Sequence, residues 1–224
     1  MKKIVIGILF CLVILSGCIS TQEMSRIIEN KIKKDTSGYI VASDWYSIKS
    51  DSLPKMDSIV RVKKIKSFFI PAILYWELEH TLKCEINPKI PVNYFTKKFI
   101  EIADSVDLKS KLKGKKIEIS ISEIPSSFIY TEKERAIILI VGYIVGGQEV
   151  IYSDYKNFKI SYKVFENNQV AETGYLTIKN IDPSLKNTWA STNKFVSMYI
   201  NQYRLNSGIM YKELIEKLLK ELEN

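Results

Sequence analysis

Histidine is nearly missing from this chain of 224 residues: His80 is the only one. Any histidine-based triad or metal site must pass through that single side chain. Its neighbours Glu77 and Glu79 are metal ligands by type, yet alternation along a strand sends them to the face opposite His80. His80 therefore reads as a half-buried structural residue, and no metal is expected. Also missing are the nucleophile elbow G-x-S-x-G, the zinc motif H-E-x-x-H, the P-loop and the Rossmann glycine fingerprint. Gly146-Gly147 lacks the lysine and helix that follow a phosphate loop, so it reads as a turn. These absences point to a non-enzymatic protein without a cofactor. Glu77/Glu79 and Glu132/Glu134 can in principle serve as acid/base couples, but such partners usually come from distant segments. Neither an internal repeat nor a long low-complexity segment is present.

What the chain does have is a distinctive start. Met1-Lys2-Lys3 is basic, and Ile4 to Leu15 is apolar apart from Gly7 and Cys11. Ser16 and Gly17 then end the run, well short of the about 20 apolar residues a membrane-crossing helix needs. A basic start, a short apolar run and small residues before a cleavage point make a secretory signal. Leu15-Ser16-Gly17-Cys18 resembles the lipobox of bacterial lipoproteins: an apolar residue, two small ones and a cysteine. The resemblance covers residues 1–18. It implies cleavage between Gly17 and Cys18, diacylglycerol on the Cys18 sulfur and acylation of the new amine. Two or three acyl chains anchor a protein stably without any spanning helix. Ile19, rather than aspartate, after the cysteine implies release to the outer membrane, with the globular part in the periplasm or at the cell surface.

Removing residues 1–17 leaves 207 residues and two cysteines, Cys18 and Cys84. With Cys18 carrying lipid, Cys84 has no intramolecular partner, so the fold must do without a disulfide. The hydrophobic fraction of 46% is ordinary and sufficient for a core to replace it. Losing Lys2 and Lys3 takes the formal charge from +8 to +6. An exported lipoprotein rarely meets nucleic acid, so none is expected; a basic domain suits anionic head groups or acidic partners instead. Scattered solvated lysines explain the same charge, since few clusters exceed three residues.

Residues 18–37 read as the lipidated cysteine and a tether with a local helix, because Met24, Ile27, Ile28 and Ile32 recur at near-helical spacing. Residues 38–224 read as one globular domain. Trp76, Leu78, His80, Leu82, Cys84 and Ile86 alternate with polar residues, which predicts a half-buried strand. Pro88 and Pro91 end it, and Asn93 is a plausible cap for a helix from Tyr94 to Val106. Ile117, Ile119 and Ile121 alternate again. Ala136 to Val145 is a nearly continuous apolar run suited to a central strand, closed by Gly146-Gly147. Phe158 to Val164 and the strand ending near Ile178 predict a hairpin turning at Asn167-Asn168. Two C-terminal helices, about 192–204 and 209–222, are separated by Asn206-Ser207-Gly208. This order predicts a single α+β domain, with helices packed on one face of an antiparallel sheet. The element order loosely resembles small envelope lipoproteins that serve as auxiliary subunits of transporters or assembly machines.

Aromatic residues are plentiful, with thirteen Tyr, nine Phe and three Trp. Asp44-Trp45-Tyr46, Tyr75-Trp76 and the Tyr152/Tyr155 pair can form a stacking surface for sugars or a protein anchor. Trp45 and Tyr46, in a polar neighbourhood, are its best candidates. The expectation is a non-catalytic binding or assembly module, held by acylated Cys18 in the membrane lipid, with another envelope protein as partner. Glycan binding through surface aromatics is the alternative, and an enzyme acting on cell-wall polymers comes third.

Overall fold

Two sheets, each covered on one face by helix, share a single long C-terminal helix. The computed structural model describes residues 19–32, 42–50, 58–70, 73–139, 142–153 and 155–223. Its elements in order are α1 (Thr21–Ile32), β1 (Tyr46–Lys49), β2 (Ser58–Ile70), β3 (Ile73–Glu85), α2 (Lys89–Ser105) and α3 (Leu108–Lys111). There follow β4 (Lys116–Glu123), β5 (Ser127–Leu139), β6 (Gly142–Ser153), β7 (Phe158–Glu166), β8 (Gln169–Ile178), β9 (Leu185–Asn187) and α4 (Thr192–Glu223). The class is α+β, as the element order predicts.

The smaller sheet has the order β1-β4-β7-β8, with β1 parallel to β4 and the other pairs antiparallel. Ile117, Ile119 and Ile121 of β4 and Phe158, Ile160, Tyr162 and Val164 of β7 point to one face and are buried there. That alternation follows from the two-residue period of a strand. Against them pack Phe95 and Phe99 of α2 and Met210, Tyr211, Leu214 and Leu218 from the second half of α4. The β7–β8 turn falls at Asn167 and Asn168, both in the left-handed region at φ 53° and 63°. Asparagine tolerates that conformation, which a tight hairpin turn demands at two successive positions.

The larger sheet has the order β2-β3-β5-β6-β9 and is antiparallel throughout. Leu82 and Cys84 of β3, Phe128 and Tyr130 of β5 and Ile151 of β6 face Met24, Ile27 and Ile28 of α1. The first half of α4, through Phe195, Val196, Tyr199 and Ile200, completes this second core. The 18–37 segment expected to be a tether is thus, over Ile19 to Ile32, part of the fold. Met24 and Ile27 are buried because the helical spacing of the apolar residues gives α1 a stripe for α4 and β3.

Three local expectations are corrected. The helix expected from Asn93 begins at Lys89 behind Pro88, and Pro91 sits in its first turn. The amides there have no intrahelical partner in any case, so proline costs nothing. The C-terminal break at Asn206-Ser207-Gly208 does not occur; α4 runs straight through it. A Cβ at Gly208 would come within 3.2 Å of the Tyr94 hydroxyl, so the glycine serves the close approach of α2 and α4. Asn206 donates to the Asp182 carboxylate at 2.9 Å, which ties the loop after β8 to the helix. Finally, Ala136–Val145 is not one central strand. It folds back on itself, with Leu139 opposite Gly142, and Gly146-Gly147 lies inside β6.

Candidate functional site

The larger sheet changes character along its length, and the change is set by register. Directly opposed residues of an antiparallel sheet share a face. On the helix-covered face the row Leu82, Tyr130, Ile151, Leu185 is core. The next row is polar: His80 opposes Glu132, Glu132 opposes Glu149, and Glu149 opposes Asn187. Beyond it come Leu78, Glu134 and Gly147, then Trp76, Ala136 and Val145, then Leu74, Ile138 and Tyr143.

Three ionisable members of the polar row are buried, at 2% exposure for His80, 8% for Glu132 and 9% for Glu149. Glu149 is held by three donors: the Tyr130 hydroxyl at 2.6 Å, the Asn187 amide and the Thr192 hydroxyl. Thr192 is the first residue of α4, so this carboxylate joins β5, β6, β9 and the start of the long helix. Asn187 also caps the connection, its amide donating to the Ala190 carbonyl and its carbonyl accepting from the Trp189 and Ala190 amides.

Glu132 is different. One of its carboxyl oxygens, Oε2, is buried without a hydrogen-bond partner. Burial, with the like charges of Glu134 and Glu149 behind it, pushes its carboxyl up to about 7. Burial raises Glu134 as well. The chemistry available to the row is therefore the holding of a proton near neutral pH. Because the folded protein binds that proton more tightly than the unfolded chain, the stability Glu132 contributes is complete below about 4.5, its ordinary value. It is lost as pH rises through about 7. Glu132→Gln, which keeps the shape and removes the charge, should abolish this slope. Urea unfolding at pH 8 should find the variant more stable than its parent by about 1–2 kcal/mol, with little difference at pH 4.5. An equal effect at both pH values would assign the change to packing instead.

The other face carries charge up to a sharp limit. Lys133 pairs with Glu79 at 3.1 Å, and Glu77 takes Arg135 at 2.9 Å and Lys66 at 3.9 Å. Past that row no charged residue occurs: Ser67 to Trp76 and Ala136 to Gly147 contain none. Yet β6 is bare at this end of the sheet. Tyr143 is 70% exposed, and Ile144 and Val145 are each 63% exposed. Every residue of β6 from Gly142 to Gln148 is exposed, and β9 covers its edge only from Glu149 to Ile151.

The residues singled out from sequence fall elsewhere. Cys18 and the cleavage point after Gly17 lie outside the described residues. Tyr46 is 5% exposed and packs edge-on against Phe99, with Trp45 half-buried beside both. The pair is part of the first core, so these two residues do not form an exposed platform. Tyr152 and Tyr155 are exposed. Glu77 and Glu79 are surface ion-pair partners, and Glu132 sits in the buried row. Cys84 is fully buried and its thiol is pushed up to about 12 by burial alone, so it is inert. The bare apolar end was missed. Its signal was a breaker inside each uncharged run, Pro71 in Ser67–Trp76 and Gly142 in Ala136–Val145, so that each run is shared between two paired strands.

Among the described residues no helix is long and apolar enough to cross a membrane. Compared with known proteins, the chain matches no family model, no curated protein and no solved structure.

Proposed function

We propose that this chain is a lipid-anchored, non-catalytic module of the bacterial envelope. It is held at the outer membrane by acylated Cys18 and engages another envelope component through the free end of its larger sheet. One observation carries the reading: β3, β5 and β6 run past the helices that cover them and present apolar residues on both faces. Contiguous exposed apolar surface of this kind marks an interaction site on a folded protein. The lipobox-like Leu15-Ser16-Gly17-Cys18 supplies the address, and the positive balance favours an anionic surface nearby. Glycan binding loses its two leading residues, since Trp45 and Tyr46 are committed to the core.

The test is made in living cells. A photo-crosslinking amino acid replaces Tyr143 at the sheet end or, as control, the still more exposed Tyr175 of β8. Palmitate incorporation is followed in parallel, with Cys18→Ala as the unanchored chain. The expected result is adducts from position 143 but not 175, lost in Cys18→Ala, together with palmitate on the parent only. Palmitate on Cys18→Ala would refute the anchor, and equal adducts at 143 and 175 would refute the sheet end as the working surface.

A further inference from the structure

We infer that the open edge of β6, from Gly142 to Gln148, pairs with the same strand of a second copy and joins two larger sheets across a two-fold axis at Val145. The inference rests on the proposed function in taking the sheet end as the working surface, and it names the partner there.

One side of β6 is taken by β5, and on the other β9 pairs only with Glu149, Val150 and Ile151. From Gly142 to Gln148 that second side has no strand beside it among the described residues, and every residue along it is exposed. A row of unpaired backbone amides and carbonyls is a template for another strand. Proteins guard such edges with lysine, proline or a bulge. The opposite edge of the same sheet, β2, is guarded in this way: it carries Arg61, Lys63, Lys64 and Lys66. Gly142–Gln148 contains no charged residue and no proline, and it pairs with β5 in unbroken register. One edge is closed to further strands and the other is open to them.

The order of side chains along the edge decides for a second copy. Two strands related by a two-fold axis run antiparallel and meet through the same residues. The chain reversal at Gly142 and the pairing of β9 at Glu149 limit the free stretch to 142–148, so full overlap places the axis at Val145. Tyr143 then lies opposite Gly147 of the second copy, Ile144 opposite Gly146, and Val145 opposite itself. Directly opposed residues share a face, so the bulky half of the strand covers the glycine half. A Cβ at Gly146 would meet nothing within 4 Å, and one at Gly147 only the Lys133 carbonyl at 3.8 Å, so space stands open over both. An aromatic ring across from an edge glycine restores what the missing side chain costs the strand. Charge agrees. A chain of formal charge +8 repels its copy, and along this stretch two copies meet without opposing like charges. Anchoring both copies in one membrane raises their effective concentration for each other.

The experiment uses the full chain in a large excess of detergent micelles, its mass followed by sedimentation as concentration rises. The parent should pass from monomer to dimer. Val145→Lys and Val145→Glu each set like charges across the axis and should weaken the dimer about tenfold. Mixing the two variants should restore it. Val145 is 63% exposed, so the fold tolerates either side chain. Register is read by oxidative crosslinking. Val145→Cys should join to itself, and Tyr143→Cys should join to Gly147→Cys. Tyr143→Cys should not join to itself, because its two copies stand about 13 Å apart, beyond the reach of a disulfide. The parent and Tyr175→Cys, treated alike, supply the background. A parent that stays monomeric would overturn the inference. So would a mixture of the charged variants that fails to pair, or self-joining of Tyr143→Cys equal to that of Val145→Cys. A monomer whose position 143 still forms adducts with a different protein in cells ends this inference and leaves the sheet end standing as the working surface. A dimer joined at 145 on a chain lacking palmitate ends the anchored-lipoprotein reading and leaves this one standing.

Discussion

Phe95→Ala should lower the stability of this protein by about 3–5 kcal/mol, the cost of emptying a fully buried aromatic site. Phe95 is 0% exposed and meets three other rings: Phe158 of β7 at 5.1 Å, Tyr211 of α4 at 5.7 Å and Phe99 at 6.4 Å. Two of these contacts are edge-on, the geometry in which aromatic pairs add to simple area burial. With no disulfide among the described residues, such a loss is a large share of the roughly 5–15 kcal/mol a domain has. The same variant tests how the two cores are joined. Because α4 lines both, Trp45 in the first and Trp76 at the rim of the second should report one transition at one urea midpoint. The slope should be unchanged and the midpoint lower. Two separated transitions would show that α4 does not couple the cores, and a loss below about 1 kcal/mol would mean that Phe95 is poorly packed.

Much of the strand pattern was readable because a half-buried strand writes its burial into alternate residues. Leu78, His80, Leu82 and Cys84 are buried as alternation requires, and the asparagine pair at 167–168 turns the hairpin it predicts. What could not be read was whether a breaker breaks. Asn206-Ser207-Gly208 has every mark of a helix end, yet the demand that α2 and α4 approach closely at Tyr94 outweighs its weak propensity. Pro91 looks like a terminator and stands in a first turn. Gly142, in contrast, was passed over inside an apolar run and marks a reversal of the chain. The division of the strands into two sheets was equally hidden, since pairing partners such as Tyr46 and Ile117 lie about seventy residues apart and local pattern carries no record of them.

The candidate sites were unequal in the same way. Alternation alone separates His80 from Glu77 and Glu79, which lie on the opposite face of the sheet. Its meeting with Glu132 and Glu149 depends on the register of three strands. Trp45 and Tyr46 looked exposed from their polar neighbours, but β1 is an edge strand whose side chains are drawn onto α2, and Phe99 takes both rings. The bare sheet end was in the sequence as uncharged runs, and only the exposure of β6 there gives those runs their meaning.

Glu149→Ala should cost about 2–4 kcal/mol, more than its partly polar surroundings suggest. Its carboxylate satisfies the hydroxyl of Tyr130, which is fully buried, and the side chains of Asn187 and Thr192. Hydrogen bonds to a charged acceptor contribute more than neutral ones, and removing the acceptor strands a buried donor. Losing it should also release β9, whose three residues have only β6 to pair with, and the first turn of α4. Hydrogen exchange should therefore accelerate at 185–192 while the β4–β7 sheet stays protected. Two features make the test specific. Removing the tyrosine hydroxyl with Tyr130→Phe should cost little once Glu149 is gone, giving a coupling of about 1–2 kcal/mol in a double-mutant cycle. Glu149 is also one of the charges that raise Glu132, so the variant should titrate Glu132 at a lower pH and regain part of its loss in alkaline solution. The comparison is therefore made at pH 5, below the value of about 7 at which Glu132 of the parent takes up its proton. Additive effects of the two substitutions there, with exchange at 185–192 unchanged, would mean that Glu149 does not hold the strand and the helix start together.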